Sequence, residues 1–322
     1  MDAEALHTRR DARRRAIRRR RRRLAGAGLI AAVLVALAVV LATRSGGSSK
    51  PAARRTQSAN SIHSTQPGRT GSPGATGSPA ATGRPGTGSV PILMYHVIAA
   101  PPAGAPFPGL YVTPSEFTAQ MQALKKAGWH AVTLDQVEAY WREGVPLGPG
   151  RPIVLSFDNG YQSQYTQALP VLRGLGWVGD ENIQLTGLPP SQGGLSQSQV
   201  RGLLSAGWEL DTQGISHADL ITLDSQELRY QVAGARAVLK QRYRVPVNWF
   251  CYPSGHYDAT VIAAVRAAGY SGSTTVVPGW AHRNDDPYRL HRLRVLGGTT
   301  PEQLLALIAG IREDPPAPPS YS

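Results

Sequence analysis

Pro152-Ile153-Val154-Leu155-Ser156-Phe157-Asp158-Asn159-Gly160 is the stretch that decides how the rest of the chain is read. A short apolar, β-branched run ending in two polar side chains and a glycine predicts a buried strand that delivers chemistry at its C-terminal end. Asp158 is of the type that serves as a general base. Its neighbour Asn159 is an amide and not a second carboxylate.

On either side the sequence alternates. Residues 90–96 read as a strand, and 114–128 as a helix with Phe117, Met121 and Leu124 at helical spacing and a glycine to end it. Val132-Thr133-Leu134 opens another short unit, with Ala139-Tyr140-Trp141 in a second helix. After the Asp158 strand the pattern predicts helices over 162–175, 196–206, 225–243 and 258–268, and strands over 183–185, 208–210 and 249–252. Strands alternating with helices of about 10–15 residues imply a parallel α/β sheet or barrel. In such barrels the C-terminal strand ends form the active face. The polar residues expected there are His96, Asp158 with Asn159, the stretch from Asp211 through Gln213 to His217, and Tyr252-Pro253-Ser254-Gly255-His256.

The net charge of +13 over 322 residues suggests a nucleic-acid binder until it is divided along the chain. Residues 1–88 carry 17 Lys and Arg against 3 Asp and Glu, whereas residues 89–322 carry 17 against 18. No nucleic-acid partner is therefore expected. Eleven arginines between Arg9 and Arg23 precede twenty uncharged, mostly apolar residues, Leu24 to Thr43. About 20 such residues span a bilayer core, and the positive excess marks the cytoplasmic side. The basic segment is thus a topology signal and a candidate contact for anionic lipid. A cleaved signal peptide is the alternative, with Ala36-Leu37-Ala38 as its cleavage candidate. The apolar region of such a peptide is usually about 7–15 residues, so length favours a retained anchor.

The expected organisation is an Arg-rich cytoplasmic segment (1–23), a transmembrane signal anchor (24–43), a disordered linker (44–88), a folded domain (89–312) and a Pro-rich tail (313–322). The linker is rich in Gly, Ser, Pro and Thr, with the near-repeat TGSPGA/TGSPAA at 70–81, and cannot bury enough apolar surface to fold. This places the protein in the plasma membrane as a single-pass chain with its C-terminal domain outside. The single cysteine, Cys251, excludes an intramolecular disulfide. About 225 residues are enough for one core.

Four motifs in order resemble the polysaccharide deacetylase family, also called the NodB-homology domain: Leu93-Met94-Tyr95-His96, Ser156-Phe157-Asp158-Asn159-Gly160, the stretch Gly207-Trp208-Glu209-Leu210 leading to Ser216-His217-Ala218-Asp219-Leu220, and Tyr252-Pro253-Ser254-Gly255. The resemblance covers residues 89–300. It implies a distorted (β/α) barrel of about seven strands and metal-dependent removal of acetyl groups from N-acetylated cell-envelope glycan. Carried over residue by residue, it makes Asp158 the base. Asn159, Gln213 and His217 stand where the family has Asp, His and His around a divalent ion, zinc or similar. His96, Tyr252, Pro253 and His256 are the implied substrate-side residues. Arg292, in Leu290-His291-Arg292-Leu293-Arg294, resembles an element whose arginine contacts the base. Three functions follow: a glycan deacetylase with an atypical metal site, a non-catalytic relative that binds glycan or a partner, and a metal-free hydrolase using Asp158. The oligomeric state is not legible in the sequence.

Overall fold

The computed structural model describes residues 81–186, 188 and 193–311. The expected anchor (24–43), most of the expected linker and the tail lie outside them. No helix among the described residues is long and apolar enough to cross a membrane.

Eight strands and seven helices alternate in these residues. In chain order they are β1 (Ile92–Tyr95), α1 (Pro114–Lys126), β2 (Trp129–Val132), α2 (Leu134–Glu143), β3 (Arg151–Asn159), α3 (a π-helical turn Gln164–Ala168 running into Leu169–Leu175), β4 (Asp180–Ile183) and α4 (Gln197–Ser205). There follow β5 (Glu209–Thr212), α5 (Ser225–Arg229, a π-helical turn Tyr230–Gly234 and Ala235–Tyr243), β6 (Trp249–Cys251), α6 (Ala259–Ala267), β7 (Gly272–Thr274), β8 (Leu293–Arg294) and α7 (Pro301–Gly310). The sheet runs β7-β6-β5-β4-β3-β1-β8, and β2 pairs with β3 beside this path. All the strand pairings are parallel. A bridge between Thr274 and Leu290, just ahead of β8, brings the two ends of the path beside each other. The result is a parallel half-barrel in an α/β fold, consistent with a (β/α) barrel.

Local chemistry explains where helices start. Thr113, Thr133, Ser196 and Thr300 each accept the backbone N–H three residues on, while Glu116, Gln136, Gln199 and Gln303 reach back to the cap. Such reciprocal capping satisfies two otherwise orphaned donors. Period-two alternation sorts β3. Ile153, Leu155 and Phe157 pack outward with Phe117, Met121 and Leu124 of α1 and Leu169 and Leu172 of α3. The Phe157 ring stacks on Trp208 at 4.8 Å and on Tyr95 at 5.7 Å. Ser156 and Asp158 face the opposite way, into the barrel.

Two expectations are corrected. The strand expected at 183–185 runs Asp180–Ile183, so it opens on Asp-Glu-Asn, a sequence that reads as a polar loop yet is fully buried. The expected linker also ends earlier than residue 88. Gly86 N–H donates to the Tyr140 carbonyl, Gly88 N–H to the Tyr140 hydroxyl, and the Trp141 indole to the Gly88 carbonyl. A Cβ on Gly86 would run into the Tyr140 ring, so the glycine is what lets this segment lie along α2.

Candidate active site

Strand ends β1, β3, β5 and β6 carry His96, Asp158 with Asn159, Gln213 with His217, and Pro253 with His256 to the C-terminal side of the sheet, as the alternation predicts. Arg292 enters from the segment before β8 and is fully buried. Its two nitrogens Nη1 and Nη2 donate to the Asp158 oxygens Oδ1 at 2.7 Å and Oδ2 at 2.9 Å. Its Nε donates to the Thr275 carbonyl, and Nη1 also reaches Ser156 Oγ at 3.0 Å. This two-pronged pair is the strongest polar contact geometry available to a carboxylate. Asn182 Nδ2 adds a third donor to Asp158 Oδ1 at 3.0 Å. Burial alone would raise the Asp158 carboxyl, but the charge and hydrogen bonds of Arg292 override it and hold the pKa at about 2. The group's pKa is lower folded than unfolded. It therefore contributes stability above the ordinary carboxylate range that is lost as the pH falls through about 2.

His96 sits with Nε2 3.9 Å from Asp158 Oδ2. Burial pushes its pKa from 6.5 to about 4, against the pull of Asp158. Its ring is expected to stay neutral on acidification to about pH 4, read by the chemical shift of the His96 ring. A midpoint near 6.5 would show instead that the site is open to water. The buried Gln164 in the first turn of α3 donates Nε2 to the carbonyls of both His96 and Asp158, tying β1 to β3. Cys251 touches both members of the pair, its Sγ 3.5 Å from Asp158 Oδ2 and 3.2 Å from Arg292 Nη2. Burial lifts its thiol to about 12, so it fills space as a neutral thiol.

Asn159 and Gly160 both take positive φ, 80° and 82°. Asparagine tolerates this conformation, and the glycine is required because a Cβ would lie 2.6 Å from Ile183. The turn aims Asn159 Nδ2 at Gln184 Oε1, 2.7 Å away. Gln213 is buried, and its Oε1 has no hydrogen-bond partner. His217, at φ 52°, lies within range of the charges of Asp158 and His256, and burial lowers its pKa. His256 Nδ1 pairs with Asp219 Oδ1 at 3.2 Å. Tyr252, expected on the substrate side, is instead 1% exposed; it stacks on Tyr257 at 4.8 Å, and its hydroxyl donates to the Tyr288 carbonyl. It belongs to the core. A pocket of about 160 Å³ opens beside Asn159, lined by residues including Gly160, Gln184, Thr186, Leu188 and Tyr243. A wider hollow of about 600 Å³ lies on α3 between Tyr165 and Gly174 and includes none of the residues above.

Residues 148–273 match the family profile described as polysaccharide deacetylase. The resemblance to the polysaccharide deacetylase family therefore holds over this part of the chain. Over 224 residues it is 26% identical to the Bacillus subtilis protein named "Putative polysaccharide deacetylase", covering 69% of this chain and 77% of that one. A solved polysaccharide deacetylase from Bacillus cereus superposes with a TM-score of 0.61 at 25% identity, covering 69% of each chain. A 66-residue stretch, 20% of this chain, is 38% identical to 10% of the Escherichia coli poly-β-1,6-N-acetyl-D-glucosamine N-deacetylase.

The resemblance implies a divalent ion, and the residues here do not fit one. Zinc-type sites favour imidazole, thiolate and carboxylate. Asn159, Gln213 and His217 bring two neutral amides and one imidazole, with no charge to offset a dication. The adjacent carboxylate, Asp158, has both oxygens committed to Arg292. Among the described residues, the one group of three His, Cys, Asp or Glu side chains close enough to share an ion is Asp180, Glu209 and Asp211, which does not include His96, His217 or His256.

Proposed function

We propose that this polysaccharide deacetylase relative binds N-acetylated cell-envelope glycan at the C-terminal side of its barrel without metal-dependent hydrolysis. The observation that carries the reading is the donor set Asn159, Gln213 and His217 around an Asp158 locked to Arg292. General-base help alone is worth about 10²–10⁴-fold, far from what amide hydrolysis needs without an electrophile. The family match over residues 148–273 and the short identity to the E. coli N-deacetylase support a GlcNAc-type ligand. The full chain, solubilised in mild detergent, is expected to bind N-acetylated chito-oligosaccharides in titration calorimetry with chelator present. Absence of binding to both these and fully deacetylated oligomers would refute the glycan reading.

We further propose that the chain is anchored by residues 24–43 with its N-terminus cytoplasmic, on the strength of the Arg9–Arg23 cluster and the twenty uncharged residues after it. Protease added to intact cells, or to protoplasts where a wall blocks access, is expected to remove the C-terminal domain and spare an N-terminal tag. A soluble mature protein beginning near Val39 would contradict this.

A further inference from the structure

A second polar cluster lies on one face of β4 and β5, running from the level of Asp158 back to where these strands begin. Asp180 and Glu209 face each other in register, and one step further Asn182 faces Asp211. Residues two apart on a strand share a face, so these four side chains form a square. Asp180, Asn182 and Asp211 are at most 1% exposed, and Glu209 is part-exposed as a residue although its Oε1 is buried.

Each carboxylate spends one oxygen on a backbone donor. Asp180 Oδ2 accepts Leu134 N–H, Glu209 Oε2 accepts Asp135 N–H, and Asp211 Oδ1 accepts Trp249 N–H. The other three oxygens, Asp180 Oδ1, Glu209 Oε1 and Asp211 Oδ2, have no donor of good geometry. The Glu209 and Asp211 carboxylates instead lie within hydrogen-bond range of each other, and the Thr133 hydroxyl acts more weakly on Glu209. Ligand atoms of the three carboxylates lie within 4.8 Å of one another.

Asn182 supplies an independent observation. It stands between Asp158 and Asp211 in the register of three adjacent strands. Its Nδ2 is turned to Asp158, which leaves Oδ1 on the Asp211 side, buried and without a donor. Asp211 in turn spends Oδ1 toward β6 and leaves Oδ2 facing back. Asp135, the nearest other acid, is satisfied by Asn248 and the Trp249 indole. No Lys, Arg or His among the described residues forms an ion pair with Asp180, Glu209 or Asp211. Buried acceptors facing acceptors are costly unless something positive sits between them.

We propose that Asp180 Oδ1, Asn182 Oδ1, Glu209 Oε1 and Asp211 Oδ2 form a site for a hard divalent cation, calcium in the first place. An all-oxygen set rich in carboxylate selects calcium, magnesium or manganese over zinc. A cation 2.3–2.6 Å from each oxygen needs oxygens no more than about 5 Å apart, which the three carboxylates satisfy. The ion ties β4 to β5 and, through Asn182, steadies the Asp158 that Arg292 holds. This site stands whether or not the cleft beyond Asp158 binds glycan.

The test uses the full chain in mild detergent, stripped with chelator and titrated with calcium chloride. At a hundredfold excess over Kd the melting temperature is expected to rise by about 5–10 °C. The rise should vanish in Asp211→Asn, with Asp180→Asn as the second variant should the first not fold, and should persist in His217→Ala. Melting that is unchanged by calcium, magnesium and manganese overturns the proposal and means that shared protons fill the gap. A calcium-dependent rise that survives in both aspartate variants overturns it as well.

Discussion

Replacing Arg292 with methionine is expected to cost about 3–5 kcal/mol of stability, because it leaves the Asp158 carboxylate buried and uncompensated. Methionine fills most of the volume of the arginine stem, so the loss reports the charge pair and not a cavity. For a domain of this size the cost corresponds to a fall in melting temperature of roughly 10–15 °C. Arg292→Lys keeps a positive charge but loses the planar fork that meets both carboxylate oxygens, and is expected to recover part of the loss and not all of it. The double change Asp158→Leu with Arg292→Met should be far milder than Arg292→Met alone, since a well-packed apolar replacement of a buried pair is often neutral. Thermal unfolding of the three variants checks this. A loss below about 1 kcal/mol in Arg292→Met, the range of exposed ion pairs, would mean that water reaches Asp158.

The second large effect is a gain. Asn159→Asp with Gln213→His restores a carboxylate and places an imidazole four residues before His217. The backbone allows both changes. Aspartate, like asparagine, tolerates the positive φ at 159, and Gln184 can rotate its amide to present Nε2 to the new carboxylate. Gln213 is buried with an unpartnered oxygen, so exchanging it for histidine removes an unsatisfied acceptor. Zinc or cobalt affinity is expected to rise by several orders of magnitude, measured by competition with a chromophoric chelator. Acetate release with Asp158 as base is then the further readout. Metal binding without activity would assign a changed substrate cleft, and no gain in metal would show that these three positions do not face a common point.

The alternation of strands and helices was legible because it depends on local patterning, and so was the placement of His96, Asp158 and His217 at strand ends. The motif placed Arg292 near the base, but the two-pronged geometry of its grip on Asp158, across 134 residues of sequence, became visible only in the fold. The same holds for Asn182 and Cys251, whose neighbours give no sign that they touch the carboxylate. β4 was displaced because hydrophobic periodicity is the signal for a strand, and Asp180-Glu181-Asn182 inverts it. A barrel that lines its interior with carboxylates breaks the usual pattern where its own chemistry is concentrated. Tyr252 shows the converse limit. An aromatic after a strand has the same sequence signature whether it faces a ligand or, as here, packs on Tyr257 and Phe250. β7 and β8, three and two residues long, are too short to carry a period at all.

The most direct test is acetate release from N-acetylated chito-oligosaccharides by the full, unmodified chain in zinc-saturated buffer, with His217→Ala measured beside it. The expected result is no release above that of His217→Ala, from a protein that nevertheless binds the sugar. Brisk turnover that is lost in His217→Ala would contradict the account and show that other side chains complete a working metal site around Asp158.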